Sequence, residues 1–274
     1  MSALSIPTQQ IILGFGLAVI MGGLGLAARA LAVSGAVAAV MVGTVIFGLG
    51  GLPWAALMIT FFVTSSLLSK LFSSRKRALT DKFEKGSNRD WAQVLANGGA
   101  GAFLAAIALL FPGEVWPWLA YAGVMATVNA DTWATEIGVL NPTPPRLITT
   151  GQQVPMGSSG GITLVGTAAT LAGSLLIALV GLAFQPGVPG IRFLLSVSLA
   201  GLAGSLVDSL LGATVQAIYY DPVRNKETER QVIGEDGLPI APLRGWVSMN
   251  NDAVNFLSSV CGALAAAGLW RLLS

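Results

Sequence analysis

Apolar runs about as long as a bilayer is thick follow one another along almost the whole chain. A helix rises about 1.5 Å per residue, so roughly 20 apolar residues cross a hydrocarbon core about 30 Å thick. Such runs occupy approximately residues 9–30, 33–50, 52–70, 92–112, 115–138, 161–184, 191–218 and 250–272. The expectation is an all-α polytopic membrane protein: a single integral membrane domain over residues 1–274 with about eight transmembrane helices. Gly50-Gly51 and Pro53 divide the second run from the third, "PGEVWP" the fourth from the fifth, and "QPGVPG" the sixth from the seventh. Seven or nine spans stay open, because the glycine-rich start also fits one re-entrant hairpin.

Composition agrees. Only 10% of residues are charged, against roughly 25% in a typical soluble domain. The first run lacks the basic leading region of a cleavable signal peptide, and Arg29 follows it rather than precedes it. A lone Cys261 excludes a disulfide framework. The chain has no histidine, which removes the commonest general base and the commonest zinc ligand.

Basic residues cluster. Seven of the fifteen fall in residues 70–89, and Arg224, Lys226, Arg230 and Arg244 fall in a second stretch. Positive charge prefers the cytoplasmic side. Three loops are therefore expected there: a basic one over 70–90, a Gly/Ser/Thr-rich one over 141–160, and a mobile one over 219–247 without chemical pattern. Both termini then face outward, and Trp116, Trp118 and Tyr121 are expected in the outer interfacial belt.

With this topology every polar cluster lands at the cytoplasmic ends of the spans. In "NADTWATEIG", Asn129, Thr132 and Glu136 share one helical face, with Asp131 and Thr135 roughly opposite. In "GSLVDSLLGATVQ", Ser205, Asp208, Ser209, Gly212 and Gln216 form a narrow polar stripe. Gly204 and Gly212 suit close helix packing, whereas Asp208 exceeds what packing needs. "NNDAVN" offers Asn251, Asp252 and Asn255, with Asn250 or Asn251 suited to a helix N-cap.

Between the fifth and sixth spans, "TTGQQVPMGSSGGIT" brings Thr150 and the run Gly157, Ser158, Ser159, Gly160 and Gly161 to a helix start, where backbone N–H groups can receive an anion. It is not the soluble phosphate-loop pattern, which needs Gly-Lys followed by Ser or Thr. Lys85, Arg89 and Arg146 are candidate phosphate clamps, and Gln93 and Asn97 follow Arg89 at near-helical spacing. Intramembrane acids mark function by default. Asp131, Asp208 and Asp252 are read as ligands for magnesium, which takes one or two carboxylates plus substrate phosphates. Glu136 joins them as a candidate catalytic acid. Acid-bearing helix ends, a glycine-rich loop and flanking bases describe magnesium-dependent phosphoryl or nucleotidyl transfer.

In that order and spacing, "NADTWATEIGVL", "PRLITTGQQVPMGSSGGIT", "GSLVDSLLGAT" and "NNDAVN" resemble the integral membrane family that includes transmembrane protein 19 and the phytyl-phosphate kinases. "KGSNRDWAQVLANGG" is similar to its N-terminal block, and the resemblance covers approximately residues 10–272. The family is related more distantly to membrane phytol and dolichol kinases, which use CTP. The resemblance implies a kinase that converts a prenyl monophosphate to the diphosphate, with CTP or another nucleoside triphosphate as donor. It implies Asn129, Asp131, Glu136, Asp208 and Asp252 as metal and phosphate organisers, Gly157 to Gly161 as the donor-phosphate cradle, and Lys85, Arg89 and Arg146 as neutralising bases. The expected partners are that lipid, the nucleotide and membrane lipids, with no nucleic acid. Two alternatives remain at this level: an ion or organic-anion transporter, and a lipid nucleotidyltransferase using CTP.

Overall fold

The structure is a computed structural model that describes residues 8–72, 88–184, 188–222, 225–232 and 240–273. Among these are seven helices: α1 (Thr8–Ala27), α2 (Val33–Leu71), α3 (Trp91–Ala108), α4 (Trp116–Gly138), α5 (Leu164–Phe184), α6 (Gly190–Thr214) and α7 (Asn251–Leu272). Two short antiparallel hairpins complete it, β1 (Arg146–Leu147) with β2 (Gly161–Ile162) and β3 (Tyr219–Asp221) with β4 (Lys226–Thr228).

The second and third expected spans both lie in α2. Straight, its 39 residues would extend for about 58 Å. Instead the chain doubles back at Gly51, whose φ of 75° and ψ of −165° leave the helix, with Pro53 just beyond. Only glycine adopts that conformation without strain. Gly35 on the first limb abuts the Arg89 carbonyl, and Ser66 on the second limb accepts from the Arg89 side chain, so both limbs finish at one end of the molecule. The break frees carbonyls in an apolar setting, where each must be re-satisfied. Gln10 of α1 does so, donating to the carbonyls of Gly48 at 3.0 Å and Phe47 at 3.4 Å.

Among the described residues, six helices are long and apolar enough to cross a membrane, with α2 as one of them. The exception, α4, is 23 residues long; its polar C-terminal third lowers its hydropathy. Every α4 residue from Pro117 to Ala130 is buried, because α2, α3, α5, α6 and α7 all pack around it. Small residues make this possible, as in close-packed membrane helices. Gly204 of α6 and Gly262 of α7 leave room only for Thr127 of α4, and Gly201 sits against Ala126 and Ser174. The outer surface stays apolar: Leu13, Val33, Met41, Ile191 and Leu264 are all largely exposed, as lipid-facing residues are.

Trp118 and Tyr121 are not in an interfacial belt. They are 4% and 0% exposed, and Tyr121 stacks on Trp54 at 4.4 Å and donates to its carbonyl at 2.7 Å. An aromatic at the start of a span reads as a belt residue when its helix faces lipid; α4 is enclosed, so its aromatics fill the core.

Candidate functional site

Because the spans alternate in direction, the ends of α2, α4 and α6 meet the starts of α3, α5 and α7. A cavity of about 530 Å³ opens there. Asp131, Thr132, Thr135 and Glu136 enter it from α4, Ser205, Asp208, Ser209 and Gly212 from α6, and Asn251, Asp252 and Asn255 from α7. Residues Gly157 to Gly161 form one wall, and Arg89, Gln93 and Asn97 approach from the α3 side. Asp131 and Asp208 lie about 10 Å inside their helix ends at the helical rise.

Asp208 and Asp131 are each held by a serine. Ser258 of α7 donates to Asp208 Oδ2 at 3.0 Å, and Ser205 reaches Asp131 Oδ1 at 3.5 Å. Asp131 and Glu229 each lie close enough to Asp208 for their charges to act on it. Like charges crowded in a desolvated space disfavour one another, and a proton or a bound cation relieves them. Among the described residues no three acids close into a metal cage by themselves. Magnesium suits what is present, since it binds through one or two carboxylates and keeps its other positions for water and phosphate. Asp131 and Asp208 form such a pair.

Arg89 is fixed by its backbone. Its N–H donates to the Ala30 carbonyl at 3.1 Å, and its carbonyl accepts from Ala32 N–H at 2.9 Å. Its Nη1 donates to Ser66 at 3.2 Å. Burial pulls the guanidinium below its ordinary pKa, while the neighbouring Glu136 carboxylate works the other way. Next to it, Asp90 and Gln93 form a reciprocal capping box at the start of α3, at 2.9 and 3.1 Å.

The glycine-rich loop is pinned at both ends by β1 and β2. Gly157 and Gly160 take positive φ of 76° and 82°, and Gly160 rests so closely on Ala213 of α6 that a side chain would clash. The N–H groups of Ser158 and Gly161 are taken up in turns, to Pro155 and Ser158 carbonyls at 3.1 and 3.0 Å. The start of α5 is capped by Thr163, whose hydroxyl accepts from Gly166 N–H at 2.9 Å. The loop thus lines the cavity without offering it an uncapped helix end.

Other expected site residues lie elsewhere. Asn129 is fully buried outside the cavity, accepting from Thr64 at 3.0 Å and donating to the Gly173 carbonyl at 2.8 Å. It clamps α2, α4 and α5 together. Arg146 is exposed and donates to the Gly151 carbonyl at 2.8 Å, closing the turn that carries the exposed Thr150. Lys85 falls outside the described residues. Asn250 is the N-cap of α7, accepting from Ala253 N–H at 3.0 Å.

No motif or periodicity marks Glu229 in the sequence. It follows β4 and enters the cavity, where it accepts from Ser159 at 3.1 Å and Gln216 at 2.9 Å. Arg244, in the same loop segment, donates to the Gly212 carbonyl at 2.9 Å. Ser69 of α2 was equally unmarked; it donates to Glu136 at 2.7 Å.

Residues 16–263 match the family described as integral membrane protein DUF92. The chain belongs to that family. The DUF92 match agrees with the resemblance drawn from the helix-end motifs. Protein PGR of Arabidopsis thaliana is 36% identical over 252 residues, covering 84% of this chain and 85% of that protein. An uncharacterized membrane protein of Methanocaldococcus jannaschii is 33% identical, over 68% of this chain and 74% of its own length. The chloroplastic protein VTE6 of Arabidopsis thaliana is 27% identical, over 95% of this chain and 71% of its own. No solved structure matches the chain.

Proposed function

We propose that this DUF92 protein is a membrane-embedded prenyl-monophosphate kinase, using magnesium and a nucleoside triphosphate, CTP first, with its site facing the cytoplasm. The observation that carries this is the meeting of Asp131 and Asp208 with Arg89 and the glycine-rich loop around one cavity at one end of the bundle. Motif resemblance to the phytyl-phosphate kinases supports the acceptor, and the basic residues at 70–89 support the sidedness.

The chemistry needs little from the protein beyond placement and charge. A phosphate-monoester oxygen of the lipid attacks the γ-phosphorus of the donor. The bond between that phosphorus and the β–γ bridging oxygen breaks, and nucleoside diphosphate leaves with that bond's electron pair. The attacking oxygen is ionised near neutrality, so no general base is required and the absence of histidine is no handicap. When bound, magnesium would supply positive charge against the negative charge that develops on the transferred group. Asp131 and Asp208 would hold it, Asp252 and Asn255 would orient its shell or the nucleotide, the loop backbone would cradle the donor phosphates, and Arg89 would hold the acceptor phosphate.

Product analysis tests this reading. Purified protein given CTP, magnesium and phytyl monophosphate should release CDP and form the lipid diphosphate. Release of pyrophosphate would identify a nucleotidyltransferase instead. Flux of organic phosphate into proteoliposomes without nucleotide turnover would identify a transporter.

A further inference from the structure

A second space adjoins the polar cavity. It is an apolar crevice of about 80 Å³ between α1, both limbs of α2, and α3, walled by residues such as Leu17, Met21, Ala39, Met58 and Phe62. Arg89 and Asn97 line both spaces. Arg89 joins them physically. Its guanidinium lies 5.7 Å from the ring centroid of Phe61, a crevice residue, while its Nη1 bonds Ser66 and its charge meets Glu136.

We propose that this crevice receives the first carbons of the hydrocarbon chain of a phosphorylated lipid whose phosphate sits at Arg89. The proposal rests on the kinase reading for what happens next, but not for where the lipid lies. A cationic side chain at the mouth of an apolar slot suits an amphiphile whose anion and chain are directly joined. Neither a nucleotide nor an inorganic anion would use the slot, and an uncharged lipid would not use the arginine. A space of about 80 Å³ is roughly half the 150 Å³ that admits benzene, so it takes only the first few carbons. The rest of the chain would leave along α1, where Phe15, Val19 and Leu24 are exposed to lipid.

The donor side is built from different elements. The glycine-rich loop is held by α6 and Glu229, whereas Arg89 is held by the α1–α2 connection and by Ser66. Acceptor and donor would thus enter from opposite walls, with Asp131 and Asp208 between them.

The test is photolabelling of the full chain with a farnesyl-chain monophosphate carrying a diazirine on its first isoprene unit, read by peptide mapping. Adducts should concentrate on Met21, Met58 and Phe62, and the matching alcohol without phosphate should not share that focus. Ala39→Phe, which narrows the crevice, should lower their yield on the order of tenfold. Val37→Phe, at a position 58% exposed on the same helix, should leave it unchanged. Adducts on α5 or α6, an identical map for the alcohol, no focused labelling, or an unaltered yield in Ala39→Phe would each overturn the proposal. Labelling requires no phosphoryl transfer. Focused adducts without turnover would sink the kinase reading alone, and turnover with adducts elsewhere would sink the crevice alone.

Discussion

Ser69, near the end of α2, donates a 2.7 Å hydrogen bond to Oε1 of Glu136, near the end of α4. One turn earlier on α2, Ser66 accepts from Arg89, whose charge Glu136 favours. The two serines and Glu136 together set where the arginine points. Glu136 is 6% exposed, and in the proposed reading it positions Arg89 rather than acting as a catalytic acid. Ser69→Ala should raise KM for the lipid phosphate by about twofold to tenfold, the worth of one hydrogen bond, with kcat changed less. Initial-rate kinetics with the lipid varied checks this; a fall confined to kcat would give Glu136 a direct chemical role.

Asp131 and Asp208 act on one cation in this reading, so their effects should not add. Asp131→Asn and Asp208→Asn should each raise the magnesium concentration needed for half-maximal rate, and the double variant should lose little more than the worse single one. A magnesium titration of all three proteins decides it. Strictly additive losses would mean that the two acids serve separate sites.

Glu229 holds the glycine-rich loop through Ser159. Glu229→Ala should raise KM for the nucleotide by about tenfold, while Glu229→Gln, which keeps a carbonyl acceptor, should retain most of the affinity. Nucleotide-dependent kinetics distinguishes this positioning role from metal ligation, in which Gln would be as damaging as Ala.

Thr127 of α4 fills the space left by Gly204 of α6 and Gly262 of α7. Gly204→Val or Gly262→Val should overpack that junction and lower stability by about 1–3 kcal/mol. Gly268→Ala, with nothing within 4 Å of the added carbon, should leave it unchanged or raise it by up to about 1 kcal/mol through helix propensity. Thermal unfolding in detergent reads both. Equal effects at all three positions would mean that close packing around α4 is not what holds the bundle.

The apolar runs and the reversal at Gly50-Gly51 and Pro53 were legible because bilayer thickness fixes span length and only glycine adopts that turn. The meeting of Asp131, Asp208 and Asp252 was legible too, since spans that alternate in direction bring those ends together. Which face of α4 looks inward was not. Asn129 shares a helical face with Glu136, yet it is a clamp and Glu136 reaches the cavity, because neighbouring helices decide where a face ends. Trp118 and Tyr121 misled for the same reason. Glu229 could not be read at all: it lies in a loop without periodicity, and only folding of the β3–β4 hairpin against the α6 end carries it to the site.

The most direct measurement is transfer of the γ-phosphoryl group from labelled CTP to a prenyl monophosphate by purified protein, with Asp131→Asn, Asp208→Asn and Asp252→Asn beside the wild type. The expected result is magnesium-dependent formation of the diphosphate and CDP in equal amounts, reduced by about a hundredfold or more when Asp131 or Asp208 is replaced. Full activity in all three variants, or no transfer from any nucleoside triphosphate, would contradict it.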